Sequence, residues 1–135
     1  MVSGFSLKER TRLKSFLEGL FKKQGLALAG LRIIFCSDEF LLEINKTYLG
    51  HDFYTDVITF GLSGSAEPLD AEIYISIDRI RDNALDFGIS FAQELHRVIF
   101  HGCLHLCGYK DKTRQQTLLM RQMEEKQLHL YFPSR

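Results

Sequence analysis

The sequence predicts an α+β fold, in which a single domain packs a small mixed β-sheet with about five helices. Apolar residues recur at helical spacing in some stretches and in β-branched or alternating runs in others, in the order α-β-α-β-β-α-α-α. A chain of 135 residues suits one domain, so residues 1–135 are assigned to it. A histidine pair, His101 and His105, stands in an apolar run shortly before Gly108. This pair predicts a metal site on a helix and the turn that follows it.

A helix and then a strand are expected at the start of the chain. Residues 6–9 have the capping-box pattern, with Ser6 as N-cap and Glu9 reaching back to it. Apolar residues continue at helical spacing toward Gly25, which would end the helix. The apolar, β-branched run at 31–36 predicts the first strand.

A second helix and a β-hairpin are expected next. Ser37 is the predicted N-cap of the helix, and Gly50 closes it. Residues 57–60 and 71–77 are predicted strands, and the turn-rich segment 61–70 joins them as a hairpin-type connection. Alternation in the second strand places three isoleucines on one face: Ile73, Ile75 and Ile77.

Three further helices are predicted in the second half of the chain. Asp78 is expected to cap a short helix over residues 79–87. Ser90 opens the helix that carries both histidines and stops at Gly108. Thr113 is the predicted cap of the last helix.

Charge and composition limit the classes of partner. Lysine plus arginine equals aspartate plus glutamate at 17 each, which argues against a protein that holds nucleic acid by bulk charge alone. No DNA partner is predicted. No apolar run approaches the roughly 18 residues of a membrane span, and residues 1–5 do not resemble a signal peptide. We therefore expect no membrane partner. Three cysteines make no disulfide framework, so we expect a cytoplasmic protein with reduced thiols.

The histidine pair carries the chemistry of the sequence. Two side chains four residues apart on a helix point the same way, and a stop at Gly108 lets the next turn carry Asp111 back toward His101 and His105. Two imidazole nitrogens, one carboxylate oxygen and an open fourth position suit a catalytic zinc ion, which lowers the pKa of a bound water toward about 7. On spacing alone, two ordinary hydrogen-bonded histidines remain the alternative.

Other candidate ligands fit this site less well. Cys103 and Cys107 are also four apart, but they point away from the histidines and are expected in the core. Gly102 stands where a His-Glu-x-x-His peptidase needs its glutamate, so peptide hydrolysis is not expected. His96 lies about 140° around the helix from the first ligand. His51 is expected to serve a loop, with an approach of that loop to the metal as the alternative.

Several segments together resemble one known family. Residues 101–109, with the pattern His-Gly-x-Leu-His-Leu-x-Gly-Tyr, resemble the metal motif of the YbeY family of rRNA maturation endoribonucleases. Three further segments resemble that family in the same order: residues 45–48 with 55–60, residues 72–76, and residues 83–88 with 94–98. The resemblance covers roughly residues 30–125.

This resemblance implies a zinc-binding protein that cuts single-stranded RNA in ribosomal RNA maturation and ribosome quality control. Ribosomal RNA and the small ribosomal subunit are the implied partners. His101, His105 and Asp111 would hold the zinc ion. The residues expected at the reaction are His101, Lys110 and Asp56. Lys110 would contact phosphate, and Asp56 would line the cleft beside Thr55.

The chain departs from the family pattern at two positions. Asp111 stands where the family usually has a third histidine, and a carboxylate there admits harder metals more readily. Leu49 stands where the family usually has an arginine thought to hold phosphate. The candidates to replace that arginine are Lys46, Lys110 and Lys112.

Two other functions remain open from the sequence. One is a non-catalytic ribosome-associated factor in which the metal is a structural clip. The other is a metal-dependent hydrolase of a small substrate. A deep closed pocket at the histidines would favour the small substrate, and a long open groove would favour RNA.

Overall fold

The order of helices and strands agrees with the prediction. The computed structural model describes residues 7–64 and 66–133. In these ranges the helices are α1 (Arg10–Lys23), α2 (Asp38–Leu49), α3 (Ile77–Phe87), α4 (Phe91–Leu106) and α5 (Arg114–Tyr131). The strands are β1 (Leu28–Cys36), β2 (Val57–Gly61) and β3 (Leu69–Ser76). No helix within the described ranges is long and apolar enough to cross a bilayer.

The sheet is mixed, with β3 in the middle. β2 and β3 form the predicted antiparallel hairpin, while β1 lies parallel to β3 on its other side. β1 begins at Leu28, three residues before the predicted start, because its pairing with β3 extends to Leu69. Ile73 and Ile75 are fully buried on the predicted core face.

The helix that carries the histidines, α4, is the centre of the packing. It lies against β2 and β3 and also packs against α3 and α5. Gly102 faces the sheet: a Cβ at this position would lie 3.1 Å from Cγ2 of Ile73 and 3.4 Å from Cγ2 of Thr59. A glycine here therefore allows α4 to approach the sheet closely, with both histidines held beside β2.

The start of α3 differs from the prediction. Ser76, not Asp78, is the N-cap: its hydroxyl accepts a hydrogen bond from the backbone N–H of Arg79, and Ile77 already belongs to the helix. The carboxylate of Asp78 instead accepts the backbone N–H of Asp38, at 2.9 Å, in the first turn of α2. A serine that ends one buried strand can thus cap the following helix without any loop.

The start of α1 also differs from the prediction. Ser6 lies outside the described residues. Glu9 is the N-cap, with φ of 56°, so it does not occupy the capping-box position three residues into the helix. Its carboxylate pairs with Arg12 at 3.5 Å, which gives it a different partner. At the other end, α1 stops two residues before Gly25, whose φ of 79° suits the expected helix end.

Three other predicted caps are present. The hydroxyls of Ser37 and Ser90 accept N–H groups of α2 and α4, at 3.2 and 3.0 Å. Thr113 begins α5 with a full capping box, since Gln116 reaches back to it. These local bonds define the first residues of α2, α4 and α5. They therefore help to set which residues of α5 lie opposite the histidines of α4.

Candidate metal centre

The three predicted ligands meet at one point. Nε2 of His101 lies 3.4 Å from Oδ2 of Asp111, and Nε2 of His105 lies 3.3 Å from the same oxygen. One ligand atom from each residue lies within 4.8 Å of the others. Gly108, with φ of 103°, turns the chain after α4, so that the carboxylate returns over the exposed side of the histidines.

Both imidazoles are oriented through their second nitrogen. Nδ1 of His101 lies 2.5 Å from Oε2 of Glu124, and Nδ1 of His105 lies 2.9 Å from the backbone oxygen of Tyr109. Because these partners accept hydrogen bonds, each Nδ1 carries the proton, and the lone pair of each Nε2 points toward Asp111. Two aligned imidazole lone pairs and a carboxylate oxygen are a donor set that fits a divalent metal ion.

Glu124, on α5, is the site residue that the sequence analysis missed. It is only 2% exposed, and its second oxygen accepts a hydrogen bond from Arg97 at 3.0 Å. Burial alone would raise the pKa of this carboxyl, but the hydrogen bonds from His101 and Arg97 and the charge of Arg97 act against burial, and the pKa is lowered. A signal was present: Glu124 is a charged residue on the buried stripe formed by Met120 and Leu128.

Arg97 joins three acidic side chains behind the histidines. Its guanidinium makes a two-bond contact with Glu94, at 2.8 Å for each bond, and also reaches Glu124 and Asp56. Burial disfavours the arginine's charge, but the hydrogen bonds and charges of Glu94 and Glu124 more than compensate and raise its pKa. Arg97 therefore balances buried carboxylates, and these carboxylates engage most of its hydrogen-bond donors.

Asp56 stands between the ligand cluster and this acidic network. Burial raises the pKa of its carboxyl, and the charge of Arg97 acts in the opposite direction. The amide of Asn83 donates to it at 3.5 Å. Asp56 thus faces the predicted ligands, as expected, and it is held there by groups of α3 and α4.

Two cavities adjoin the ligand cluster. The first, of about 430 Å³, lies beside the loop after α2; we call it the loop-side cavity. The second, of about 240 Å³, lies beside α5; we call it the α5-side cavity. Both are lined by Asp56, His101 and Asp111. Open space therefore adjoins the ligands on two sides.

Cationic side chains are arranged differently from the expectation. Among the described residues that line the two cavities there is no lysine: Lys46, Lys110 and Lys112 all lie outside them. Lys46 instead pairs with Asp52 at 3.5 Å. The exposed Arg121 of α5 lines the α5-side cavity, and no sequence pattern singles out this residue.

The loop after α2 contributes more than a connection. His51 lines the loop-side cavity, together with Leu49, Phe53 and Thr55. His51 is therefore near the ligands, although it is not part of their cluster. Leu49 occupies the position of the expected family arginine and offers this cavity only an apolar surface.

The remaining histidine and cysteines of α4 serve the core. His96 is 7% exposed, lies stacked on Tyr131, and hydrogen-bonds the backbone oxygen of Ala92 at 2.7 Å. Cys103 is fully buried, and burial raises its pKa. Burial also raises the pKa of Cys107 to about 11. These thiols stay protonated at neutral pH and do not compete for a metal.

A larger cleft elsewhere lacks comparable chemistry. It has a volume of about 1080 Å³, lies between α1 and β1, and is lined mostly by apolar residues, with four charged side chains: Arg10, Lys14, Glu18 and Lys22. Of the described residues that line it, none is a histidine or a cysteine. The convergent ligands lie at the smaller cavities, together with the carboxyls of Asp56 and Glu124, whose pKa values are shifted, so the candidate site is there.

The sequence is similar to known proteins over most of its length. The model of a family described as Endoribonuclease YbeY matches residues 6–131. The chain belongs to the YbeY family. Two similar YbeY relatives, each named Endoribonuclease YbeY, come from Cytophaga hutchinsonii and Flavobacterium psychrophilum. The first is 44% identical over 126 residues, covering 93% of this chain and 88% of the relative. The second is 44% identical over 127 residues, covering 94% and 90%.

A solved structure has the same YbeY fold. The solution structure of TM1509 from Thermotoga maritima matches with a TM-score of 0.65 and 30% sequence identity, over 95% of this chain and 86% of that one. In this YbeY chain, the two positions that depart from the expected family pattern, Leu49 and Asp111, line the same loop-side cavity. The departures therefore concern one surface of the site.

Proposed function

We propose that this protein is a metal-dependent, single-strand-specific endoribonuclease that acts in ribosomal RNA maturation and ribosome quality control. One observation carries the proposal: the lone pairs of His101 and His105 and the carboxylate of Asp111 converge where two cavities meet. The relatives named Endoribonuclease YbeY support RNA as the substrate. Ribosomal RNA, the small ribosomal subunit and the cytoplasm follow as the proposed partners and compartment.

The three ligands would hold one divalent ion, and we propose zinc. Such an ion supplies Lewis acidity, which favours attack of water on a phosphodiester at neutral pH. Glu124 and the Tyr109 carbonyl keep both imidazoles oriented for that ion.

Other residues of the chain would handle the substrate. Asp56 lines both cavities and orients the substrate where they meet. Arg121 meets phosphate charge in the α5-side cavity. Lys110, exposed on the turn that bears Asp111, remains a proposed phosphate contact for the strand beyond the cavities.

Cleavage of labelled RNA by zinc-loaded protein tests this function. We expect wild type to cut single-stranded RNA and to leave the same sequence uncut in a duplex. His101→Ala should abolish cleavage, whereas His129→Ala, a matched change at an exposed histidine of α5, should not. Circular dichroism of both variants separates loss of the site from loss of the fold. Equal cleavage by wild type and His101→Ala would refute the catalytic role.

A non-catalytic, ribosome-associated factor is the second candidate. It is favoured by a shortage of free positive charge at the site. Arg97 forms ion pairs with Glu94 and Glu124, and the apolar Leu49 occupies the position of the expected arginine. In that case metal removal would lower the melting temperature, and RNA would be bound but never cut. The cleavage assay with wild-type protein decides between the two candidates.

A further inference from the structure

A stacked pair of rings lies at the edge of the ligand cluster. The rings of His51 and Phe53 have centroids 5.0 Å apart and planes 19° from parallel. Phe53 is 57% exposed, and both residues line the loop-side cavity together with the predicted metal ligands. An aromatic ring this exposed buries little apolar area within the chain itself, so the fold alone does not explain its position.

The loop that displays these rings is fixed from below by one buried residue. Asn45, 2% exposed, donates from its side-chain amide to the backbone oxygen of Phe53 at 2.8 Å. The backbone oxygen of Asn45 accepts the N–H of His51 at 3.1 Å. Asp52, which lies between the two ring-bearing residues in the sequence, forms an ion pair with Lys46. Both ends of the ring pair are therefore anchored, and little conformational entropy remains to be lost when a ligand binds.

We propose that the His51–Phe53 pair is a stacking platform for an unpaired base of the RNA strand that crosses the ligand cluster. Every nucleobase has a flat π face that stacks on aromatic side chains without regard to sequence. A base in a duplex is already stacked between its neighbours, so the platform selects single strands. This inference rests on the proposed function, because it concerns the substrate of the same site.

The chemistry of the cavity wall favours a base over a phosphate at this position. Leu49, which lines the cavity beside the two rings, is apolar. The nearby Lys46 is paired with Asp52 and also with Glu43, at 3.9 Å. Phosphate would find no lysine among the described lining residues, whereas a base finds apolar and aromatic surface.

The test compares two phenylalanines with nearly equal exposure. Phe53 is 57% exposed and Phe87, on α3 and outside both cavities, is 56% exposed. With zinc-loaded protein and a labelled single-stranded RNA, anisotropy read immediately after mixing gives Kd before cleavage. We expect Phe53→Ala to raise Kd about tenfold, within the range for loss of one stacked base. Phe87→Ala should leave Kd unchanged.

A tryptophan at the same position gives a direct signal. The chain contains no tryptophan, so Phe53→Trp introduces a single tryptophan, which can be excited selectively over the tyrosines. This variant should retain the wild-type Kd, and its fluorescence should be quenched when single-stranded RNA binds. An abasic oligonucleotide should cause no quenching, and it should bind wild type and Phe53→Ala equally well.

The outcomes separate this inference from the proposed function. Equal Kd values for Phe53→Ala and Phe87→Ala, or an unquenched Phe53→Trp, would overturn the platform, including the case in which these rings serve a protein partner. RNA that is bound through Phe53 but never cut would overturn only the catalytic function and would support the platform. Wild-type protein that binds no single-stranded RNA would overturn both.

Discussion

The Nδ1 atom of His101 and the Oε2 atom of Glu124 lie 2.5 Å apart, although they belong to different helices. The carboxylate is buried and is also bonded to Arg97, so the ligand imidazole is anchored to a charged network and not to solvent. A hydrogen-bonded carboxylate behind a ligand histidine fixes the ring and makes its outer nitrogen a better donor. Glu124 is therefore a positioning residue for the predicted ligand.

Removal of the Glu124 charge should weaken metal binding. We expect Glu124→Gln to raise the Kd for zinc at least about tenfold, as is usual for the loss of such a partner. Competition with a chromogenic chelator measures this affinity without reference to activity. The exposed neighbour Glu125 provides the control, and Glu125→Gln should retain the wild-type Kd. Identical zinc affinities for the two variants would rule out the positioning role.

Asp111 should set both the affinity and the selectivity of the site. Asp111→Ala removes one of three ligand atoms, so we expect the Kd for zinc to rise about tenfold or more. Asp111→His replaces oxygen by nitrogen and should retain zinc while it loses manganese relative to wild type, because imidazole suits the softer ion. Calorimetric titration with each metal measures both. Unchanged zinc binding in Asp111→Ala would remove this residue from the ligand set.

The sequence was informative where bonds are local and much less so where they depend on packing. The pair His101 and His105 could be read from helical spacing, and the return of Asp111 from the glycine that ends the helix. Glu124 lies 23 residues after the first ligand on another helix, and only the packing of α4 against α5 brings it near. Arg121 was missed for the same reason.

Helix starts illustrate the same limit. The prediction that Thr113 caps α5 was correct, because its capping box is closed within one turn of the helix. At α3, by contrast, Asp78 had the right residue type, but its carboxylate is taken by a backbone N–H of α2, and Ser76 caps the helix instead. A cap that competes with a long-range hydrogen bond cannot be predicted from the local sequence alone.

Arg121 should contribute to RNA affinity through its charge. We expect Arg121→Gln to weaken RNA binding by a similar factor for every sequence, and to reduce the salt dependence of log Kd by about one phosphate contact. The exposed Lys126 on the same helix lies outside both cavities, so Lys126→Gln is the matched control. Anisotropy titrations at several salt concentrations measure the slopes. Parallel slopes for wild type and Arg121→Gln would exclude a phosphate contact.

Two glycines inside helices should respond in opposite directions to alanine. At Gly102 the new methyl group would meet the fully buried Ile73, and overpacking costs about 1–3 kcal/mol, against about 1 kcal/mol of helix propensity regained. We expect a net loss of about 1 kcal/mol in the free energy of unfolding. At Gly19 of α1 an added methyl group would meet no heavy atom within 4 Å outside the local helix backbone, so alanine should stabilise by about 0.5–1 kcal/mol. Urea denaturation measures both, and stabilisation by Gly102→Ala would contradict the close approach of α4.

His96 should make the fold sensitive to acid. Burial lowers its pKa from the ordinary value of 6.5, and the nearby charge of Arg12 acts in the same direction, against the bond to Ala92 and the charge of Glu9. Since the unfolded chain binds this proton more readily, the contribution of neutral His96 is complete above the unfolded pKa and is lost as pH falls through the lower folded pKa. We expect the free energy of unfolding to fall from pH 7 to 5, and to fall less in His96→Gln. Equal slopes for the two proteins would contradict this.

The three ligands all lie within residues 101–111, so few residues separate them along the chain. Closure of so short a loop has a low entropic cost, and an unfolded chain therefore retains some affinity for the ion. A ligand stabilises a fold only by the difference between its binding to the folded and to the unfolded state. Zinc should thus raise the melting temperature less than its Kd for the native protein suggests. What couples the ion to folding is Glu124, because this anchor reaches the ligands only when α5 has packed against α4.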